Sequence, residues 1–418
     1  AEAGEVRWLP LEAAAAGPEA AGGRRQTLPL VLASEAFLPG AVTCLRLIEP
    51  GVCKLYENLL LAGGRLVVSA LQAREPDRVA EFGTLLFLED LREVSRATGG
   101  AAKYSAEHSA VGRVRLRRLR RPGAETVAAG GNYFLAEVEE LSEADEGRGG
   151  PSPAEALAPQ LEELAALEQS AEGQASGKAL AAELTAALAE APLSPELLPL
   201  QGLWRAASGQ RVRIEGAAAV GLGRLEAEAG GFRMSLGSGT ARDFRARLAG
   251  GGEAGTPAEA LRWDDGDVWT RVAAPPPFRF EAFGPGGAFW RAARRWRERG
   301  AWRAEARRGE ARWRSAEAIT RGLGDRGASA DAAARHRAEE EALAQWQQAA
   351  RGVDAAAVGM RWEEVELPCQ RLLQAETPAA QLATLREALK VEALRLQLSL
   401  AVKAGAAAGS GTAGDTGS

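Results

Sequence analysis

The sequence predicts an α+β protein in which a β-rich module precedes a helical unit. Residues 27–142 alternate short apolar runs with glycine and proline, a spacing that is typical of a compact barrel or sandwich. Residues 152–200 instead repeat leucine at helical spacing behind a capping serine and a first-turn proline. Short apolar runs and glycine-rich turns return from residue 202, so a small second β unit is predicted over 202–274.

The first elements can be justified in chain order. Residues 1–26 are rich in Ala, Gly and Glu, which predicts a flexible segment. Inside the first β module, Pro50 precedes apolar residues at helical spacing, so one helix is expected there. Inside the second, Asp265 and Gly266 lie between two tryptophans and predict a tight hairpin with cross-strand aromatic contacts.

The last part of the chain is predicted to be mainly helical. Four segments are expected in order: an extended connection at the prolines 275–277, a highly charged helical segment at 287–351, helices at 360–403 and a disordered tail at 404–418. Because glycine disfavours helix interiors, Gly300, Gly309 and the run 322–327 are expected to divide the charged segment.

Composition excludes several classes of function. The 418 residues carry 51 Lys and Arg against 56 Asp and Glu, a net charge of −5, which argues against a chain devoted to coating nucleic acid or anionic membrane. No apolar run approaches the roughly 20 residues that span a bilayer. Three cysteines and two histidines are too few for a disulfide framework or a typical zinc site, so a reducing compartment and no metal or other cofactor are expected.

No motif supports catalysis. The run at 173–179 lacks the glycine spacing and the hydroxyl of a phosphate-binding loop. Glu107, His108 and Ser109 are adjacent in sequence, so their side chains point in different directions and do not form a relay. Cys44 and Cys53 have no nearby histidine and are interpreted as structural thiols. No catalytic residue is therefore predicted, and the chain is not expected to be an enzyme.

The most specific signal is the string at 37–50. In it, Pro39 and Gly40 turn the chain, Leu45 lies on one face of a strand, and Glu49 with Pro50 opens a helix. This string resembles the opening of the LON substrate-binding domain, the N-terminal region of Lon proteases. The resemblance continues in register through 83–90, 111–115 and 133–141. The motif positions expected to shape the fold are Pro39, Gly40, Leu45, Glu49, Pro50 and Gly83.

The resemblance implies a PUA-like β pseudo-barrel followed by an α-helical subdomain. A weaker similarity to the family's closing helices lies at 360–403, so that 202–340 would interrupt the domain, and whether 360–403 packs back on 152–200 is left open. After Pro50 the family usually has Arg-Tyr-Arg, where this chain has Gly-Val-Cys, so an anionic contact at that place is not carried over. The ATPase and Ser-Lys protease modules of full Lon enzymes are not present in the sequence.

Arginines at alternate positions of one predicted strand form the first candidate binding surface. A strand places Arg113, Arg115 and Arg117 on one face, with Val114 and Leu116 toward the core. Such a face could hold an acidic protein segment or RNA phosphates. The alternative is that these arginines belong to a solvated or edge strand, where charge prevents aggregation.

The second candidate is the segment 290–314, which interleaves four tryptophans with ten arginines and three glutamates. Four readings are open: a solvated helix that packs its tryptophans on neighbours, a protein-binding surface, an RNA-binding surface and a membrane-lying helix. The six-residue tryptophan spacing wanders around a helix, which makes the membrane reading the weakest. The candidate binding residues here are Trp290, Arg294, Arg295, Trp296 and Trp302.

The sequence therefore predicts a non-catalytic protein-binding or scaffolding protein whose partners are proteins or exposed polypeptide segments. The alternative is an RNA-associated or ribonucleoprotein subunit that uses 290–314. The chain begins at Ala1 rather than Met, which a removed targeting peptide or a truncated chain both explain. Organellar members of the LON family imply a plastid or mitochondrial location, with the cytoplasm as the alternative.

Overall fold

A computed structural model describes residues 5–11, 25–75, 77–121, 132–141, 152–171, 179–190, 193–236, 243–249, 260–272, 276–277, 285–326, 344, 348, 354 and 356–410. In these residues the chain forms an α+β structure with three parts. They are a first β unit near the N-terminus, a helical unit, and a closed barrel that lies between helices in sequence.

The first β unit is a sheet of seven described strands with one helix against it. The strands are β1 Trp8–Pro10, β2 Arg25–Ala33, β3 Val42–Leu47, β4 Leu66–Gln72, β5 Arg78–Glu93, β6 Tyr104–Arg120 and β7 Phe134–Leu141, and the helix is α1 Pro50–Leu61. The strand order is β1-β5-β4-β2-β7-β6-β3, and β5 also pairs with β6. These pairings close a ring through β5, β4, β2, β7 and β6.

Most local predictions for this unit are confirmed. Helix α1 begins at the predicted Pro50, with Glu49 as the capping residue. Val114 and Leu116 are buried, as the alternation on β6 predicted. The prediction of a flexible segment at 1–26 is wrong for β1, which pairs with β5 while Trp8 stacks on Trp362. Trp362 lies more than 350 residues from Trp8 in the chain, so the local composition of 1–26 gives no sign of this contact.

The helical unit is assembled from both sides of the closed barrel. Its helices are α2 Pro153–Ala171, α3 Leu180–Ala189, α4 Pro285–Arg326, α5 Leu367–Gln374 with the π-helical turn Trp362–Glu366 before it, and α6 Pro378–Ser410. Leu385 and Leu389 of α6 share one apolar core with Leu157, Leu161 and Leu164 of α2. The helices at 360–403 therefore do return to pack on those at 152–200, which answers the question that the sequence left open.

Two predictions about the helices are wrong. Helix α4 runs through Gly300 and Gly309 without a break. At Gly300 a Cβ atom would lie 3.1 Å from Cγ2 of Val365, so the glycine permits close packing, and this tertiary contact outweighs the helix propensity that predicted a break. Helix α6 continues to Ser410, so the part of the predicted tail at 404–410 is helical. The predicted division at 322–327 falls partly outside the described residues, and 322–326 is helical.

The predicted second β unit is a closed antiparallel barrel. Its described strands are β8 Gly202–Arg205, β9 Arg211–Glu215, β10 Ala218–Ala219, β11 Gly223–Glu228, β12 Gly231–Leu236, β13 Asp243–Ala249, β14 Ala260–Trp263 and β15 Val268–Arg271. The predicted hairpin is present, because Gly266 adopts a φ of 93° and the Trp263 and Trp269 rings lie 4.6 Å apart. The barrel has its own apolar core.

None of the described helices is long and apolar enough to cross a membrane.

Candidate functional site

Arg113, predicted to face a partner, is an internal contact. Only 3% of the residue is exposed. Its Nη1 donates hydrogen bonds to the carbonyl oxygens of Leu373 at 3.0 Å and Ala375 at 2.7 Å, and the guanidinium lies 5.3 Å from the ring centroid of Trp290. The end of α5 and the start of α4 cover this part of β6. Arg113 therefore holds the helical unit on the first β unit, and neither Arg113 nor the buried Trp290 has the exposed position that the binding prediction assumed.

The other two arginines of the strand are paired within the sheet. Arg115 Nε donates a hydrogen bond to Glu81 at 2.5 Å, and Arg117 Nε donates one to Glu139 at 2.7 Å. Arg115 is half-buried, whereas Arg117 is exposed. Because Arg113 is buried and Arg115 is half-buried against Glu81, Arg117 is the one exposed arginine of the three on the predicted face, and Glu139 offsets part of its charge.

The candidate residues on α4 divide into a buried and an exposed group. Trp296 is buried in the helical core, and Arg294 packs under Gly40 and pairs with Glu215 at 3.4 Å. Trp296 therefore makes internal contacts, and the half-buried Arg294 is engaged with Glu215, so neither has the exposed position that the binding prediction assumed. Trp302 is 61% exposed, and the exposed Arg295 pairs with Glu298 on the same helix. The reading in which the helix packs its tryptophans on neighbours holds for Trp290 and Trp296 and fails for Trp302.

The motif glycines are close-contact positions. Gly40 has a φ of 77°, and a Cβ atom there would lie 2.4 Å from Nη1 of Arg294. A Cβ atom on Gly83 would lie 2.7 Å from the carbonyl oxygen of Ser69 on the neighbouring strand. These positions accept only glycine without a local shift, so their role is to let chain segments approach each other.

A buried ionic joint connects the first β unit with the closed barrel. Arg213 of β9 contacts Glu89 at 2.9 Å and Glu107 at 2.6 Å, and Arg211 contacts Asp90 at 2.6 Å. The Glu89 side chain is only 1% exposed. Sequence reasoning missed this joint, although β9 alternates arginine with apolar residues and Glu89 follows a run of buried positions on β5.

His108 and two of the cysteine thiols are titratable groups that lie buried in the described part of the chain. His108 Nε2 and Tyr56 Oη form a hydrogen bond of 2.9 Å, and burial lowers the pKa of His108 to about 4. Burial also raises the pKa of the Cys53 and Cys369 thiols, which disfavours the thiolate forms that attack or bind metal. Among the described residues no cluster of His, Cys, Asp and Glu could hold a metal ion.

An apolar cleft of about 450 Å³ opens beside α1, and sequence reasoning did not identify it. It is lined by residues of β2, α1, the turn after α1, the start of β4 and the segment before β7: Thr27, Leu28, Pro29, Leu55, Asn58, Leu59, Ala62, Gly64, Arg65, Leu66 and Tyr133. Three of its polar side chains, those of Asn58, Arg65 and Tyr133, have partners within the protein. Asn58 donates to the Tyr133 hydroxyl at 3.1 Å, and Arg65 donates to the Leu88 carbonyl at 3.0 Å.

Exposed apolar residues follow the cleft-lining residues at the end of α1. Leu60 and Leu61 follow the lining residue Leu59 at the end of α1, and Leu61 is 84% exposed. A single buried helix face accommodates Leu55 and Leu59 but leaves the next two leucines outside. The run of three leucines at the helix end is the sequence signal that could have indicated this surface.

No protein-family model matches the chain, and a search of curated proteins finds no match. Similar solved structures include a Lon N-terminal domain protein from Xanthomonas campestris, 19% identical, with a TM-score of 0.25 over 38% of this chain and 89% of that one. The N-terminal domain of the Mycobacterium avium complex Lon protease is 15% identical, with a TM-score of 0.26 over 35% of this chain and 70% of that one. Both structures are named as Lon N-terminal domains, the family that the strings at 37–50, 83–90, 111–115 and 133–141 resemble.

Proposed function

We propose that this chain binds exposed polypeptide segments without catalysing a reaction on them, and that the apolar cleft beside α1 is the binding site. The observation that carries the proposal is the open apolar cleft lined by Leu28, Leu59 and Leu66, beside which α1 exposes Leu61 as its last residue. A concave apolar surface with few polar groups is the usual form of a binding site, and unfolded segments present the apolar side chains that fill it.

The finer parts of the proposal rest on the resemblance to the LON family. They are a PUA-like pseudo-barrel, for which the ring of strand pairings gives support, and the presentation of bound segments to a separate enzyme. A scaffolding role and a plastid or mitochondrial location belong to the same proposal and rest on the resemblance alone. The buried, hydrogen-bonded His108 and the buried thiols support the part of the proposal that excludes catalysis.

The test measures binding of a permanently unfolded protein, reduced and carboxymethylated α-lactalbumin with a fluorescent label, by anisotropy. We expect saturable binding to the full chain. Burying a leucine contributes roughly 1.5–3 kcal/mol. The double variant Leu60→Asp, Leu61→Asp should therefore bind at least about tenfold more weakly.

Val220→Asp is the matched control, because Val220 is also exposed but lies on the closed barrel. This variant should bind the unfolded protein as the parent chain does. Equal weakening in the control and the double variant, or undiminished binding in the double variant, would remove the apolar cleft from the proposal.

RNA binding through α4 is a weaker second proposal. It is supported by Trp302 and Trp313, which are both exposed, and by Arg299, whose guanidinium lies 5.0 Å from the Trp302 ring. Several other arginines of the helix pair with carboxylates, such as Arg308 with Asp354 at 2.9 Å, which leaves less charge for phosphates. Arg295→Glu with Arg299→Glu should weaken binding of a single-stranded RNA and reduce its salt dependence, and unchanged binding would remove the basis of this proposal.

A further inference from the structure

A second depression, which we call the Trp8 groove, lies where β1 meets the π-helical turn and α5. It encloses about 400 Å³ and shares no residue with the apolar cleft. Its lining residues are Glu5, Val6, Trp8, Ala73, Arg74, Glu75, Arg78, Trp362, Leu367 and Arg371. The Trp8 and Trp362 rings are stacked, with centroids 6.2 Å apart and planes 15° from parallel.

The arginines of the Trp8 groove are poorly neutralised. Arg74 lies 3.7 Å from Glu363 and Arg78 lies 3.6 Å from Glu75, and all four side chains are more than half exposed. Exposed pairs of this kind contribute only about 0–1 kcal/mol, so these guanidinium groups remain available to a ligand. The groove itself carries three arginines against two glutamates, in a chain whose net charge is −5.

Arg371 supplies the specific feature. It lines the groove, and among the described residues no carboxylate lies within 4.0 Å of it. A guanidinium that lines a groove without a carboxylate partner can take one from a ligand, and hydrogen bonds between charged groups are the stronger kind. A carboxylate suits this place because its two oxygens match the planar fork of a guanidinium.

The backbone beside the groove is already engaged. The Gln374 side chain accepts a hydrogen bond from the Arg7 backbone N–H at 3.1 Å and donates one to the Glu5 carbonyl at 2.8 Å. On its other side β1 pairs with β5. A ligand is therefore held by the groove's side chains rather than by adding a strand to β1.

We propose that the Trp8 groove binds an acidic peptide segment, with a carboxylate at Arg371 and an adjacent aromatic or apolar side chain against Trp8 and Trp362. Indole faces are frequent anchors for such side chains in protein interfaces. Glu5 and Glu75, with Glu363 beside Arg74, repel a continuous chain of phosphates more than a single carboxylate. This balance favours a peptide over a nucleic acid.

The experiment uses the full chain and a fluorescein-labelled twelve-residue peptide of alternating Glu and Phe. The companion peptide replaces every Glu by Gln and measures the apolar contribution alone. We expect the Glu peptide to bind at least about tenfold more tightly, the factor that one hydrogen bond between charged groups supplies. Arg371→Met should reduce this ratio to near one, whereas Arg46→Gln, a change of an exposed arginine on β3, should leave it unchanged.

Two further variants keep the proposal testable. If Arg371→Met does not fold, Arg74→Gln with Arg78→Gln changes two exposed side chains, one in the turn before β5 and one at its first residue. This variant should lower the ratio about threefold to tenfold, because salt-sensitive charge attraction is lost. Leu60→Asp with Leu61→Asp should leave the ratio unchanged, which separates the Trp8 groove from the apolar cleft. Equal affinity for the Glu and Gln peptides, or a twelve-nucleotide DNA strand that displaces the Glu peptide at lower concentration, overturns the proposal.

Discussion

Arg113→Met tests whether a single buried guanidinium holds the helical unit on the first β unit. Methionine retains much of the arginine volume but has no donor, so the carbonyl oxygens of Leu373 and Ala375 lose their charged partner. A hydrogen bond to a charged group contributes about 1.5–3 kcal/mol, and the contact with Trp290 about 1 kcal/mol. Because one side chain makes all three contacts, we expect a total of about 3–4 kcal/mol rather than their sum.

The loss should appear first as local opening of α5, measured by hydrogen exchange with mass spectrometry on peptides covering 367–376. A reduction of about 3 kcal/mol in the opening free energy accelerates exchange by roughly 150-fold. Arg117→Met is the matched control, because its pair with Glu139 is half-exposed and contributes less than about 1 kcal/mol. Acceleration below about fivefold in Arg113→Met, or equal acceleration in both variants, refutes the reasoning.

Three further predictions concern other parts of the molecule. The pKa of His108 is about 4 in the folded chain and about 6.5 in the unfolded chain, so the unfolded state binds more protons between these values and stability falls as the pH drops from 6.5 to 4. In urea unfolding across this pH range, His108→Gln should remove about 3 kcal/mol of that fall. An unchanged dependence of stability on pH in the variant contradicts this prediction. Arg213→Met leaves Glu89 buried without its guanidinium and should weaken the joint by about 3–5 kcal/mol, seen as faster exchange in β5 and β9; unaltered exchange there contradicts it. Gly309→Ala should stabilise the chain toward urea by up to about 1 kcal/mol, and Gly300→Ala by less, since its Cβ atom would lie 3.1 Å from a valine methyl; a larger gain at Gly300 speaks against this.

The sequence patterns predicted the helices and strands better than they predicted which elements pack against one another. The alternation along β6 correctly placed Val114 and Leu116 in the core, because a strand directs successive side chains to opposite faces. The same pattern grouped Arg113 with Arg115 and Arg117, yet only Arg113 is covered by α5. Its hydrogen-bond acceptor Leu373 is 260 positions away in the chain. A periodicity identifies a face of a strand but not the element that packs on that face.

The apolar cleft and the Trp8 groove escaped prediction for a related reason. Leu28, Leu59 and Leu66 belong to three different elements, and each is an ordinary apolar residue within its own. Only their arrangement leaves concave surface open. The Trp8 groove combines residues near both ends of the sequence, so no window of the sequence contains its two tryptophans.

The two units that adjoin the first β unit are attached to it by different forces. Ala36 and Leu38 enter the apolar core of the helical unit, whereas none of the apolar clusters formed by described residues joins the first β unit to the closed barrel. That joint relies on Arg211 and Arg213 against three carboxylates. Burying these charges has a desolvation penalty that offsets most of their mutual attraction, so the ion pairs add little net stability. Their effect is on orientation, because a shift of the barrel would separate the Glu89 carboxylate from the Arg213 guanidinium and leave it only the Ser109 hydroxyl as a hydrogen-bond partner among the described residues. The closed barrel is therefore a self-contained unit whose placement is determined by charge.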